Sequence, residues 1–94
     1  MSQLLVEEEL KQALRKIPEW DMVGKAIERT VEFDDFLGAI DFVEQVAEIA
    51  EEEEHHPDIN IRYNKVTLSL STHDESGLTS RDFEVAERID NLME

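Results

Sequence analysis

Three stretches of the chain repeat their apolar residues at the 3.6-residue period of a helix. The predicted helices cover Ser2 to Lys16, a segment from Asp34 or Asp35 to about Glu53, and Thr79 to about Met93. Pro18 ends the first pattern, and Asp34 or Asp35 can cap the second helix. At the start of the third, Thr79 and Asp82 have the spacing of a capping box.

Two pairs of strands separate these helices, because apolar and polar residues alternate there. The predicted strands are Trp20 to Val23, Ala26 to Phe33, Asp58 to Arg62 and Lys65 to Thr72. Gly24-Lys25 and Tyr63-Asn64 form the turns. The order α-β-β-α-β-β-α predicts an α+β fold, a four-stranded antiparallel sheet with helices packed on one face. At 94 residues, one domain spans positions 1–94.

The middle predicted helix carries two neighbouring apolar stripes. The first consists of Phe36, Ile40, Val43, Ala47 and Ala50, and the second of Ala39, Phe42, Val46 and Ile49. Together they exceed half of the circumference, which is more than a helix lying on one sheet needs. A helix of a second subunit is the natural partner, so we expect a homo-oligomer. Small domains without disulfide bonds often gain stability in this way, and this chain has no cysteine.

Charge and hydropathy exclude several classes of partner. The chain has 24 acidic and 9 basic residues, and its net charge of −15 repels a phosphate backbone, so no nucleic-acid partner is expected. No apolar run approaches the ~18–20 residues of a membrane span. The amino terminus lacks the pattern of a signal peptide. We therefore expect a cytoplasmic protein with no membrane partner.

Two of the three histidines stand side by side in the segment Glu51-Glu-Glu-Glu-His55-His56-Pro57. Histidine can both give and take protons between pH 5 and 8, so the pair indicates acid–base chemistry. Pro57 disfavours helical backbone at His56, and the helix should end at or before that residue. If the helix continues to His55, Glu51 lies one turn earlier and within hydrogen-bonding reach.

The histidine pair also has ordinary explanations. Histidines near the carboxyl end of a helix interact favourably with its dipole, and the other glutamates, 52–54, are typical of a solvated face. Three histidines and carboxylates could bind zinc, but adjacent histidines are not the usual helical ligand pair, and no metal site is expected. Asp82 is explained as a helix cap, Trp20 as a core aromatic residue and Tyr63 as a turn residue.

The residues discussed above belong to a longer series with fixed spacing. Its members are Glu51, His55-His56-Pro57, Tyr63-Asn64-Lys65-Val66, Ser71-Thr72-His73, Gly77-Leu78-Thr79 and Asp82, with Trp20 and the segment from Phe33 to Val46 upstream. Taken together, this series resembles the signature of the pterin-4a-carbinolamine dehydratases. The resemblance covers almost the whole chain from about Leu4, and Ile59 departs from it where some relatives have an aromatic residue.

The resemblance implies that the protein dehydrates a 4a-hydroxytetrahydropterin to a quinonoid dihydropterin and water, in tetrahydrobiopterin recycling. It implies His55 and His73 as the acid–base pair, with His56 as a third catalytic residue that positions the pterin or shares the proton transfer. Glu51 would orient a histidine. The resemblance implies no metal or redox cofactor. The residues implied to bind the substrate or support the pocket are Glu51, Trp20, Asp82, Ser71 and Thr72.

The resemblance also leaves alternatives open. Its fold is α+β, and its members form homodimers or homotetramers. Some animal relatives act as dimerisation cofactors for a transcription factor, which would be a non-catalytic, protein-binding function. A dehydratase could also serve another pterin pathway, such as molybdopterin metabolism.

Overall fold

A computed structural model describes residues 3–93 of the chain. Its elements are α1 (Glu7–Arg15), β1 (Asp21–Val23), β2 (Ala26–Glu32), α2 (Phe36–Glu53), β3 (Asp58–Arg62), β4 (Lys65–Leu70) and α3 (Ser80–Asn91). A short 3-10 helix, His73–Glu75, lies between β4 and α3. The predicted order α-β-β-α-β-β-α and the α+β class are confirmed.

The four strands form one antiparallel sheet in the order β1-β2-β4-β3. Ile27 lies opposite Leu70 and Val31 opposite Val66, and this face of the sheet packs against the helices. On the other face the hydroxyls of Thr30 and Thr67 are 2.8 Å apart in an exposed position. The core contains Ile17, Trp20, Ile27, Ala39, Phe42, Val46, Ile49, Val66, Leu68, Leu70, Leu78, Phe83, Val85, Ala86 and Ile89.

The predicted caps of the second and third helices are present. The Asp35 side chain accepts a hydrogen bond of 2.7 Å from the Gly38 amide at the start of α2. Thr79 and Asp82 form the capping box of α3. These caps satisfy amides that have no partner within the helix, so they set where each helix begins.

Several predicted boundaries differ from the observed ones, and two of the differences have structural consequences. The first helix begins at Glu7, whereas the prediction began at Ser2, which lies outside the described residues. β4 ends at Leu70 instead of Thr72, because Thr72 turns away to pair with Gly77 in an isolated bridge. His73 therefore does not lie on the strand face that a longer, regular strand would have given it.

The two apolar stripes of α2 have different environments. Ala39, Phe42, Val46 and Ile49 are buried inside the subunit. The other stripe is covered only in part: Phe36 is 45% exposed, and Ala47 is also exposed. Within residues 3–93, no helix combines the length and the apolar character needed to cross a membrane.

Candidate active site

The carboxyl end of α2 directs His55 inward and His56 outward. Glu54 has left-handed backbone angles, with φ 52° and ψ 39°. The Glu54 amide donates to the Glu51 carbonyl at 3.3 Å, and the His55 amide donates to the Ala50 carbonyl at 3.1 Å. These two bonds form a Schellman motif, in which the residue after the left-handed one packs back on the helix. His55 is consequently buried and His56 exposed.

Arg81 joins the two helix ends that meet at this point. Its guanidinium Nη2 donates a hydrogen bond of 2.6 Å to the Glu54 carbonyl. Left-handed backbone is unfavourable for a residue other than glycine, and such a conformation persists when surrounding contacts hold it. The Arg81 contact is one such restraint, and it ties the turn before His55 to the first turn of α3.

Asp82 is completely buried and accepts hydrogen bonds from three groups. Its Oδ1 lies 2.5 Å from Nε2 of His55. Its Oδ2 accepts from the Thr79 amide at 2.9 Å and from the Thr72 hydroxyl at 2.8 Å. The same carboxylate therefore caps α3 and holds the imidazole of His55.

This network determines which ring nitrogen of His55 is free. An ionised carboxylate only accepts hydrogen bonds, so Nε2 of His55 carries the hydrogen that points at Asp82. Because the Thr72 hydroxyl donates to Asp82, the Thr79 hydroxyl, 2.8 Å away, donates to Thr72. The other ring nitrogen, Nδ1, then carries no hydrogen and is the one that can accept a proton.

Glu51 pairs with His56, and the contact with His55 that was expected if the helix continued to that residue is not made among residues 3–93. The distance from Glu51 Oε2 to His56 Nε2 is 2.6 Å, and both side chains are exposed. The physical reason is that α2 ends at Glu53. The left-handed turn at Glu54 takes His55 away from the helix face on which Glu51 lies. That Glu51 orients a histidine stays a prediction, and His56 is the histidine that it contacts.

His73 lies on a closed loop that faces the two other histidines. The Thr72 amide donates to the Gly77 carbonyl at 2.8 Å, and the Ser76 amide donates to the His73 carbonyl at 3.1 Å. The amino-terminal segment also packs on this loop, because a Cβ added at Gly77 would lie 2.8 Å from Leu4 Cδ2. These contacts hold the exposed His73 on a short, restrained loop.

The three histidines line one cleft with a volume of about 240 Å³. Its lining consists of Glu54, His55, His56, Ser71, Thr72, His73, Asp74 and Arg81. Five of the eight predicted site residues, the three histidines with Ser71 and Thr72, thus line the same surface. Asp82 lies behind this wall and is hydrogen-bonded to two of its members, and Glu51 reaches it through His56. Such a cleft can exchange protons with a bound molecule at more than one point.

Trp20 does not line this cleft. It is buried, and its indole Nε1 donates a hydrogen bond of 2.8 Å to Asp90 Oδ1. The same oxygen accepts from Arg29 Nη1 at 2.6 Å. Within one subunit, Trp20 therefore has the structural role that its aromatic character favours. Among residues 3–93, Trp20 is not part of the lining of the histidine cleft, so its supporting role there stays a prediction.

The glutamates 52–54 are not simply solvated. Arg88 donates hydrogen bonds to Glu52 Oε1 at 2.6 Å and to Glu53 Oε2 at 2.9 Å. These bonds, that to Glu52 first, raise the pKa of the Arg88 guanidinium above its usual value. Glu54 supplies the left-handed turn and lines the cleft. The end of α2 is thus attached to α3 at two points, through Arg88 and through Arg81.

A larger cleft of about 450 Å³ lies at the other end of α3, between Lys16, Arg29, Glu87 and Asp90. It contains no histidine, and its Arg29 and Asp90 are already paired with each other. Among residues 3–93, no three or more His, Asp and Glu side chains are grouped so that they could hold a metal ion. Because three histidines line it, the histidine cleft is the better candidate for catalysis.

Sequence reasoning missed Arg81 and Asp74, which also line the histidine cleft. Arg81 stands in the first turn of α3, where a positive charge interacts unfavourably with the helix dipole. That mismatch is the signal by which the sequence could have indicated a special role. Asp74 has no comparable signal, because aspartate is common in loops.

The fold and the site define a small α+β protein with a cleft lined by three histidines, and comparison with known proteins identifies its family. Residues 3–92 match the model of the family described as pterin 4 alpha carbinolamine dehydratase. The chain belongs to this family, whose enzymes are hydro-lyases.

The relatives support this assignment along the whole chain. A Cyanothece protein, provisionally named a pterin-4-alpha-carbinolamine dehydratase, is 48% identical over 92 residues, which cover 98% of this chain and 95% of that protein. A protein of Acidobacterium capsulatum with the same provisional name is 49% identical and covers 95% of this chain and 97% of its own length. The crystal structure of a Brucella melitensis protein described as a transcriptional coactivator/pterin dehydratase has a TM-score of 0.91 and 37% identity, and the match covers 96% of this chain and 98% of that one.

Proposed function

We propose that this protein dehydrates 4a-hydroxytetrahydropterin to quinonoid dihydropterin and water by histidine acid–base catalysis, as a step in tetrahydrobiopterin recycling. The observation that carries the proposal is the cleft in which His55, His56 and His73 meet, with the buried Asp82 behind His55. Family membership supplies the substrate class, and the cleft supplies groups that can donate and accept protons near neutral pH.

The reaction needs two proton transfers at neighbouring atoms. The C4a–O bond breaks and the hydroxyl leaves with one added proton as water, while N5 loses its proton and the C4a=N5 double bond forms. We assign the base to His55, because Asp82 holds its Nε2–H and leaves Nδ1 to accept the N5 proton. We assign the acid to His73, which lines the same cleft and is open to solvent for reprotonation. His56 would position the pterin.

Turnover of a synthetic 4a-hydroxytetrahydropterin tests the proposed function. The wild-type protein is expected to accelerate the absorbance decay of this compound well beyond buffer. A matched control contains free imidazole at three times the protein concentration, since the chain has three histidines. A decay rate equal to that of the imidazole control would contradict the enzyme function and favour the non-catalytic, protein-binding alternative.

We also propose a homodimer or homotetramer that covers the exposed stripe of α2. Phe36 is 45% exposed and Leu37 71% exposed, and Ile40 and Val43 are only half-buried. β3 is an edge strand whose five residues are all exposed, and such edges are usually covered. The stripe through Phe42 is used inside the subunit, so this outer surface is the one available to a partner.

Light scattering at micromolar concentration tests the oligomer. The wild-type protein is expected to have at least twice the 10.9 kDa mass of one chain. Val43→Glu should shift the population towards monomers, because it would bury a charge in the interface. Glu48→Gln, on the polar face of the same helix, is the control and should leave the mass unchanged. A monomer mass for the wild type would contradict the proposal.

A further inference from the structure

A second cleft of about 230 Å³ adjoins the histidine cleft. We call it the outer cleft; it is lined by Lys25, Ser71, Thr72, His73, Ser76 and Gly77. Ser71, Thr72 and His73 line both clefts. The two clefts are therefore neighbours, and His73 belongs to the wall that they share.

The two neighbouring clefts together offer a substrate more room than either offers alone. Sites for small molecules usually have volumes of about 300–1,000 Å³, and each cleft alone is smaller than that. In a pterin, the ring atom C6 is bonded to N5, the atom that loses its proton in the proposed reaction. A substituent on C6 therefore begins one bond from the reacting centre, beside the histidines, and the adjoining outer cleft is the space into which it can extend.

The outer cleft has the chemistry of a site for oxygen-rich groups. Lys25 stands at the tip of the β1-β2 hairpin, after Gly24, whose φ is +61°. Its ammonium forms no salt bridge with any other residue in the described range 3–93. Ser71 and Ser76 bring hydroxyl groups to the same surface. In a chain with 24 acidic and 9 basic residues, an unpaired cation beside the proposed active site favours an anionic ligand group.

We infer that the outer cleft binds the C6 side chain of the pterin substrate and that Lys25 gives a preference for a hydroxylated side chain that ends in an anion such as phosphate. This inference rests on the proposed function. Asp74 and Glu54 line the histidine cleft, where the pterin ring would bind, so their negative charges act on the ring. The Lys25 ammonium lines the outer cleft and acts on the side chain.

The test compares two 4a-hydroxytetrahydropterins that carry the same hydroxylated C6 side chain, one with and one without a terminal phosphate. The measured quantity is the ratio of their kcat/KM values for each variant. Wild type is expected to prefer the phosphorylated compound by about 1.5- to fivefold, the range of a solvent-accessible charge pair, and less at high salt. Lys25→Ala should remove the preference, Lys25→Glu should reverse it, and Lys25→Arg should keep it.

Lys65→Glu is the matched control. Lys65 is an exposed lysine at the first residue of β4, the end opposite to the one that leads into Ser71, and its charge change is identical. It should keep the wild-type ratio. A Lys25→Glu ratio equal to that of the wild type, in an enzyme that still turns over both compounds, would overturn the inference and leave the proposed function standing.

Equilibrium binding separates the two claims. Fluorescence titration with stable 7,8-dihydropterins, with and without the side-chain phosphate, needs no turnover. The inference predicts that the phosphorylated compound binds more tightly to wild type and to Lys65→Glu, but not to Lys25→Glu. This result supports side-chain binding in the outer cleft even if the turnover assay shows no catalysis. Equal binding of both compounds by wild type and Lys25→Glu overturns it.

Discussion

Replacing His55 or His73 by alanine is expected to lower kcat for dehydration of 4a-hydroxytetrahydropterin by about 10²- to 10⁴-fold, the usual contribution of a positioned acid or base. Each substitution removes one of the two proton transfers at C4a–O and N5. His56→Ala should act mainly on KM and by less, because His56 is exposed and paired with Glu51 at the edge of the cleft. Stopped-flow absorbance of the synthetic compound gives kcat and KM for each variant.

His55→Ala and His73→Ala differ in their expected effects on stability. His55→Ala leaves Oδ1 of the buried Asp82 without its donor, so the variant is also expected to lose stability. His73 is exposed, and its side chain has no hydrogen bond to residues 3–93. The unfolding midpoint of His73→Ala in denaturant should therefore equal that of the wild type. A folded His73→Ala protein with kcat within threefold of wild type would contradict its role as the acid. Recovery of activity by added imidazole would support it.

Local signals in the sequence predicted the elements of this fold. The cap Asp35, the capping box of Thr79 and Asp82, and the alternation in β2 act over a few residues, and the structure follows them. Pairing of β2 with β4 follows from the buried faces of both strands, since Ile27 and Leu70 must lie on the same side of the sheet. The α+β architecture could therefore be predicted from sequence patterns that extend over only a few residues.

The connections within the site could not be predicted from residue spacing alone. The left-handed residue before His55 is a glutamate, and nothing in that residue type indicates positive φ. This turn sends Glu51 to His56 and His55 to Asp82, a residue 27 positions away. The partner of Trp20 is even more distant, at Asp90. Such contacts depend on how the helices dock, and only the resemblance to a family brought the histidines together beforehand.

Asp82→Ala is expected to lower the free energy of unfolding by about 3 kcal/mol or more, because buried donors that lose their acceptor cost about 1–3 kcal/mol each. The substitution leaves three donors without an acceptor: the His55 ring, the Thr72 hydroxyl and the Thr79 amide. Asp35→Ala is the matched control, because it also removes a helix-capping aspartate, but one that is exposed and accepts a single bond. It should cost only about 1 kcal/mol. Urea unfolding followed by circular dichroism measures both, and equal losses would contradict the special role of Asp82.

Asp82→Asn separates the structural role of this residue from its role in catalysis. The amide keeps an oxygen that can accept from Thr72 and Thr79, so much of the stability should remain. Its NH2 group then faces His55 and can only donate, which forces Nε2 to become the acceptor and puts the ring hydrogen on Nδ1. His55 loses its free proton acceptor in the cleft, and kcat is expected to fall by about 10²-fold or more. A folded Asp82→Asn protein with wild-type kcat would show that Asp82 acts only as the cap of α3 and that the proton acceptor is not Nδ1 of His55.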